Sequence, residues 1–250
     1  MSAWEDKGGD YEFEMGPERL NRVSSLLLLQ QFRWGSNLKP FWRFFMTIEA
    51  IDLLGDSIYD NQSYVEQGDS VIDQISAISP VHVALHAVDG HTTTDCRLVL
   101  EDLGNDPKPT TGACISIGGN DALQNASILL EPCSNVLGAI TKMQTILDEF
   151  RIHYCAVLEK LLRIYERENI RVCTVYNKVP VSHMPRETMT ALGLFNEIIT
   201  EEVNRRGLQL LDLRVICDSA DCYSPVSPIE PSKEGGRRIV QAILNSFKEV

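Results

Sequence analysis

A serine, a glycine and an asparagine each close an apolar stretch of this chain, and together they are the groups that acyl transfer needs. Gly55-Asp56-Ser57 ends the stretch Ile48, Ala50, Ile51, Leu53 and Leu54. Gly90 follows an apolar pattern from Val81 to Val88, and Gly118-Gly119-Asn120-Asp121 follows one from Ala113 to Ile117. A strand that runs into a small turn presents the next side chain at the carboxyl edge of its sheet, where ligands of open α/β folds bind. A hydroxyl there serves as a nucleophile, and amide N–H groups stabilise a developing oxyanion. Gly-Asp-Ser alone carries little weight, because many serines after strands merely cap a turn or helix. Three such junctions in one chain favour Ser57 as the nucleophile. Asp56 reads as a turn-holding carboxylate, since a charge beside the oxyanion would repel it. Gly90 offers a backbone N–H that a substrate can approach closely, and Asn120 offers a side-chain amide. Gly118-Gly119 reads equally as a helix-entry turn. Neither a G-x-x-x-x-G-K-[ST] loop nor a G-x-G-x-x-G run is present, so nucleotide binding lacks its usual cradle.

These groups need a sheet to hold them, and the chain supplies a regular alternation of strand and helix. Strands are expected over 47–55, 81–88, 113–118, 171–179 and 208–215. Helices are expected near 68–78, 93–103 (capped by Thr92 or Thr93), 187–206 and 232–248. The stretch 136–169 keeps helical spacing throughout and is long enough for two helices or one bent one. Continuous Val/Ile/Leu strands alternating with helices indicate an α/β fold with a parallel sheet covered on both faces. Residues 1–45 lack this rhythm and read as an N-terminal extension, with one helix near Glu18–Gln31 and an aromatic cluster at Phe41, Trp42, Phe44 and Phe45. The domain expected to carry the site is 46–250.

Leu54-Gly55-Asp56-Ser57, Gly90 and Gly118-Gly119-Asn120-Asp121, in this order, resemble the first three blocks of the SGNH (GDSL-type) hydrolases. The resemblance covers roughly residues 46–248. It implies a three-layer α/β/α sandwich with a flavodoxin-like, parallel five-stranded sheet. It also implies hydrolysis of a small-molecule ester or acylated substrate through an acyl-Ser57 intermediate. The oxyanion would be bound by the N–H groups of Ser57 and Gly90 and the amide of Asn120. The family's fourth block carries Asp-x-x-His, and here the sequence departs. Ser227-Pro228-Ile229-Glu230-Pro231-Ser232, followed by Gly235-Gly236, puts Ser227 at the aspartate and Glu230 at the histidine. The two changes are consistent, because the aspartate serves to orient and stabilise an imidazolium. Three readings stay open. Glu230 acts as the base, although a free glutamate is about two units less basic than histidine unless burial raises it. Alternatively, His91 or His183, both after strand ends, replaces the missing histidine. Or no base remains, leaving a binding or interaction module.

Composition narrows the partners. A formal net charge of −12 disfavours nucleic acid and anionic membrane surfaces. Arg205-Arg206 and Arg237-Arg238 are the only basic doublets, and they read as solvated helix faces. Seven cysteines, with no C-x-x-C pair, suit a reducing compartment better than a disulfide framework. The acidic first residues do not suit a signal peptide, and Leu26–Leu29 is far shorter than the ~20 residues of a membrane helix. A cytoplasmic protein without metal or cofactor is the expectation. Asp52 and Asp56 lack the paired His or Cys ligands of a metal site. Oligomeric state and substrate identity are not legible.

Overall fold

Five short apolar runs form the sheet in the computed structural model, which describes residues 48–177, 179 and 186–248. They are β1 (Ala50–Gly55), β2 (His82–Leu85), β3 (Thr111–Ser116), β4 (Ile170–Cys173) and β5 (Gln209–Leu211). All neighbouring pairs are parallel, in the order β2-β1-β3-β4-β5. That is the flavodoxin-like order, in which the chain reverses direction across the sheet between β1 and β3. Seven helices are described: α1 (Val71–Ile78), α2 (Thr93–Asp102), α3 (Gly119–Gln124), α4 (Val136–Ile164), α5 (Arg186–Arg205), α6 (Leu213–Ile216) and α7 (Lys233–Lys248). The expected α/β/α sandwich is therefore present. The extension 1–45 and its aromatic cluster lie outside the described residues.

The alternation of side chains along β1 divides the core in two. Leu54 packs with residues of α2, α4 and α5 on one face. Ile51 and Leu53 pack with residues of α1 and α7 on the other. All three are fully or almost fully buried, so truncating any of them to Ala would cost about 2–5 kcal/mol. The stretch 136–164 is one continuous helix of 29 residues. At about 44 Å it exceeds the roughly 20 Å span of β1. Its buried residues begin only at Leu147, while Val136, Leu137 and Ile140 are exposed.

β2, β4 and β5 stop three to six residues before their expected ends, each for a side-chain or turn reason. The N–H groups of His86 and Ala87 both donate to the Leu53 carbonyl, which ends the β2 register. Beyond β4, the Asn196 amide takes both backbone groups of Val175, at 2.8 and 2.7 Å, in place of a neighbouring strand. Beyond β5, Asp212 accepts from the Arg214 N–H and from Thr174 Oγ1, turning the chain into α6.

One polar cluster stands apart within the α4 face of the sheet. Asp52 of β1 accepts from Lys108 Nζ and Tyr165 OH, each at 2.7 Å, and His86 Nε2 stands 3.4 Å away. Burial opposes ionisation, but these partners outweigh it and hold the Asp52 pKa at about 2. The arginine doublets are spent on neighbours: Arg206 pairs with Glu202, and Arg237 and Arg238 pair with Glu234.

Candidate active site

β1 and β3 end side by side, and the tight passage between them positions Ser57. Gly55 sits at φ +118, and a Cβ there would lie 1.8 Å from the Ser116 carbonyl oxygen. No other residue fits without moving β3. The Asp56 N–H donates to that same carbonyl at 3.0 Å, which turns the chain outward at Ser57. Asp56 Oδ1 accepts from the Ile58 N–H at 3.2 Å, the turn-holding role expected of it. Burial pushes the Asp56 carboxyl well above the usual range. The Ile58 N–H opposes this, while Glu230 and Asp121 nearby add to it.

Glu230 arrives from the loop between α6 and α7, and that loop is tied down at several points. The Glu230 N–H donates to Ser227 O at 3.0 Å, and its carbonyl accepts from the Ser224 N–H at 2.8 Å. Asn61, six residues after β1, donates to Pro231 O at 3.2 Å and accepts from the Val71 N–H at 2.9 Å. Tyr176 OH donates to Ile229 O. The Glu230 carboxyl is thereby brought near Ser57, whose hydroxyl favours its ionised form. Ser57 is 6% exposed and Glu230 4%. Burial raises the Glu230 pKa to about 7; the Ser57 hydrogen bond pulls it down, and the charge of Asp89 pushes it up. Glu230 Oε2 has no partner among the described residues.

The third junction closes on the second. Gly118, at φ +118, is the entry residue of α3, as the helix-entry reading of Gly118-Gly119 anticipates. Asn120 Nδ2 donates to the His91 carbonyl at 2.9 Å. Asp121 accepts from the Thr93 N–H and hydroxyl at 3.0 and 2.6 Å. Two adjacent residues of α3 thus clamp the Gly90–Thr93 segment. Asn120 Nδ2 carries a second hydrogen. Neither the Ser57 N–H nor the Gly90 N–H meets an acceptor among the described residues.

Ser57, Asn120 and Glu230 line one cavity of about 910 Å³, part of it open to solvent. Gly90 and His91 are not among its lining residues. His91 is half-buried, and its Nδ1 has no partner among the described residues. His183 lies outside the described residues. Among the described residues, no group of three His, Cys, Asp or Glu side chains is arranged to hold a metal ion. No helix among them is long and apolar enough to cross a membrane. All seven cysteines are free thiols. Sequence reasoning missed Asn61, Tyr176 and Asp121. Only Asp121 carried a signal, as the residue following Asn120.

No protein-family profile and no curated protein matches the sequence. Solved structures do match. A member of the lipolytic G-D-S-L family from Veillonella parvula superposes with a TM-score of 0.59 at 13% identity, covering 80% of this chain and 99% of that one. A psychrotrophic esterase from Pseudoalteromonas sp., solved with monoethylphosphonate as inhibitor, gives 0.55 at 16% identity, covering 80% and 97%. An acetyl xylan esterase gives 0.56 at 19% identity, covering 78% and 98%. With the strand order and the three junctions, these likenesses show that the chain has the fold of the SGNH, or GDSL-type, hydrolases.

Proposed function

We propose that this protein is a serine ester hydrolase working through an acyl-Ser57 intermediate, with Glu230 as general base. The observation that carries the reading is the buried Ser57–Glu230 pair at the carboxyl edge of β1. Ionised Glu230 takes the Ser57 hydroxyl proton as Oγ attacks the ester carbonyl carbon. The tetrahedral oxyanion is met by the Ser57 N–H and the second hydrogen of Asn120 Nδ2, while Gly90 lies outside the cavity lining. Protonated Glu230 then returns its proton to the leaving alkoxide, giving the acyl-Ser57 ester. Water attacks that ester with Glu230 again accepting the proton, and Ser57 is regenerated.

A free glutamate would be a weak base for this work, and burial supplies the remedy. At about 7, the Glu230 pKa lies where a histidine base would normally stand. Burial favours the neutral form of Asp56, which lessens any repulsion of the oxyanion. His91 is the less supported base, because it does not line the cavity. The known esterases of this fold add support at the level of reaction class.

The test is hydrolysis of a butyryl aryl ester by the purified protein and by Ser57→Ala. Loss of turnover in Ser57→Ala, with labelling of Ser57 by an organophosphonate ester in the parent, supports the hydrolase. Equal turnover in both proteins would remove Ser57 from the chemistry. Turnover no better than water in both would favour a binding module.

A further inference from the structure

The cavity at Ser57 is polar at one end and apolar along most of its wall. Asp56, Ser57, Ser116, Asn120 and Glu230 gather where the strands end. Away from them the wall is built by the half-buried Met143 and Ile146 of α4 and by Met189, Leu192 and Phe195 of α5. Among the described residues, Asn125, Tyr176 and Thr188 are the other polar residues lining it, and the Tyr176 hydroxyl is spent on Ile229 O. Among the described residues, no Lys, Arg or His lines it, and none of these offers a cation to a phosphate or carboxylate. The ionisable groups beside Ser57 are the carboxyls of Asp56 and Glu230. An acetyl group would leave this wall facing water, and a sugar would find few partners along it.

The apolar surface continues past the mouth. Leu129 lines the cavity, and the next residue, Leu130, is 88% exposed. On α4, Ile140 lies one turn before Met143 on the same face, and Val136 and Leu137, 76% and 73% exposed, precede it. These are the first turns of α4, which run beyond the packed core.

We infer that the site takes an ester of a long aliphatic acid, with the acyl chain lying along α4 and α5 and its carbonyl at Ser57. Met189, Leu192 and Phe195 line the cavity over about 9 Å of helix, a length that matches an acyl chain of roughly eight carbons. This inference deepens the hydrolase reading, and the measurements separate the two.

The first measurement is kcat/KM for neutral aryl esters from acetyl to decanoyl. Each buried methylene contributes about 0.8 kcal/mol, roughly four-fold, so octanoyl should exceed acetyl by at least about 100-fold. Met189→Glu places a carboxylate in the wall, and the octanoyl-to-acetyl ratio should collapse about ten-fold or more. The second measurement is calorimetric binding of methyl octanoate and methyl acetate to Ser57→Ala, which needs no turnover. Tighter binding of the octanoate supports the inference even if no ester is hydrolysed; in that case the hydrolase reading alone fails. Ser57-dependent turnover that is flat or falls with chain length overturns the inference and leaves the hydrolase standing. Equal or absent binding of both methyl esters to Ser57→Ala also overturns it.

Discussion

Ser57 and Glu230 line one cavity, both buried, at the point where the strand order reverses, and the Ser57 hydroxyl lowers the Glu230 pKa against the effect of burial. Sequence position alone makes Glu230 an unpromising substitute for histidine. Its surroundings change that, because burial costs the carboxylate more than it costs the neutral acid.

The same burial should appear in stability. Glu230 ionises near 4.5 when unfolded and near 7 when folded. Between those values the folded protein holds a proton that the unfolded chain has released, so stability falls as pH rises through this window. The loss is complete above pH 7 and amounts to about 3 kcal/mol. Glu230→Gln has no such loss. Denaturant melts should therefore show the variant gaining on the parent between pH 4.5 and pH 8. A constant difference across that range would mean that Glu230 titrates normally.

Asn120 has two roles that mutation can separate. Its amide bonds the His91 carbonyl at 2.9 Å and leaves one hydrogen for the oxyanion. Asn120→Ala should lower kcat on the order of 10²–10³-fold, the usual effect of losing one oxyanion donor. KM should change much less. A rise in KM with kcat intact would assign Asn120 to holding the Gly90–His91 loop instead.

Asp52 should stabilise the fold without touching the chemistry. Its pKa of about 2, against 3.8 when free, gives a contribution of about 2 kcal/mol. That contribution is present above pH 4 and lost as pH falls toward 2. Asp52→Asn should lose at least this much at pH 7, since Lys108 is left without its carboxylate partner. Chemical denaturation at pH 7 reads this directly, and an unchanged midpoint would show the cluster to be energetically idle.

We further propose that residues 1–45 are dispensable for folding, because the strand and helix rhythm starts at Met46. A chain beginning at Met46 should express and melt cooperatively. Insolubility of that chain, with the full chain stable, would place the Phe41–Phe45 aromatics in the core.

The sequence was most informative where local chemistry decides structure. Gly55, Gly118 and the apolar runs before them announce strand ends, and so Ser57 and Asn120 were legible as edge residues. Thr92 ahead of α2, whose N–H and hydroxyl both bond Asp95, announced a helix start. What stayed hidden depends on partners distant in sequence. The length of β4 is set by Asn196, and the Glu230 loop is held by Asn61 and Tyr176. No spacing encodes such pairings. The basicity of Glu230 was hidden for the same reason, because a pKa depends on what surrounds the group.

A pH–rate profile alone does not identify the base, since a Glu230 pKa of about 7 overlaps the ordinary range of histidine. The decisive measurement is the Ser57-dependent hydrolysis rate of Glu230→Gln at pH 8, compared with the parent and with His91→Ala. The amide keeps the shape of Glu230 and cannot accept the proton. A general base contributes about 10²–10⁴-fold, so Glu230→Gln should fall by that factor while His91→Ala stays within a few-fold of the parent. A Glu230→Gln rate within two-fold of the parent would contradict the assignment of Glu230 as the base.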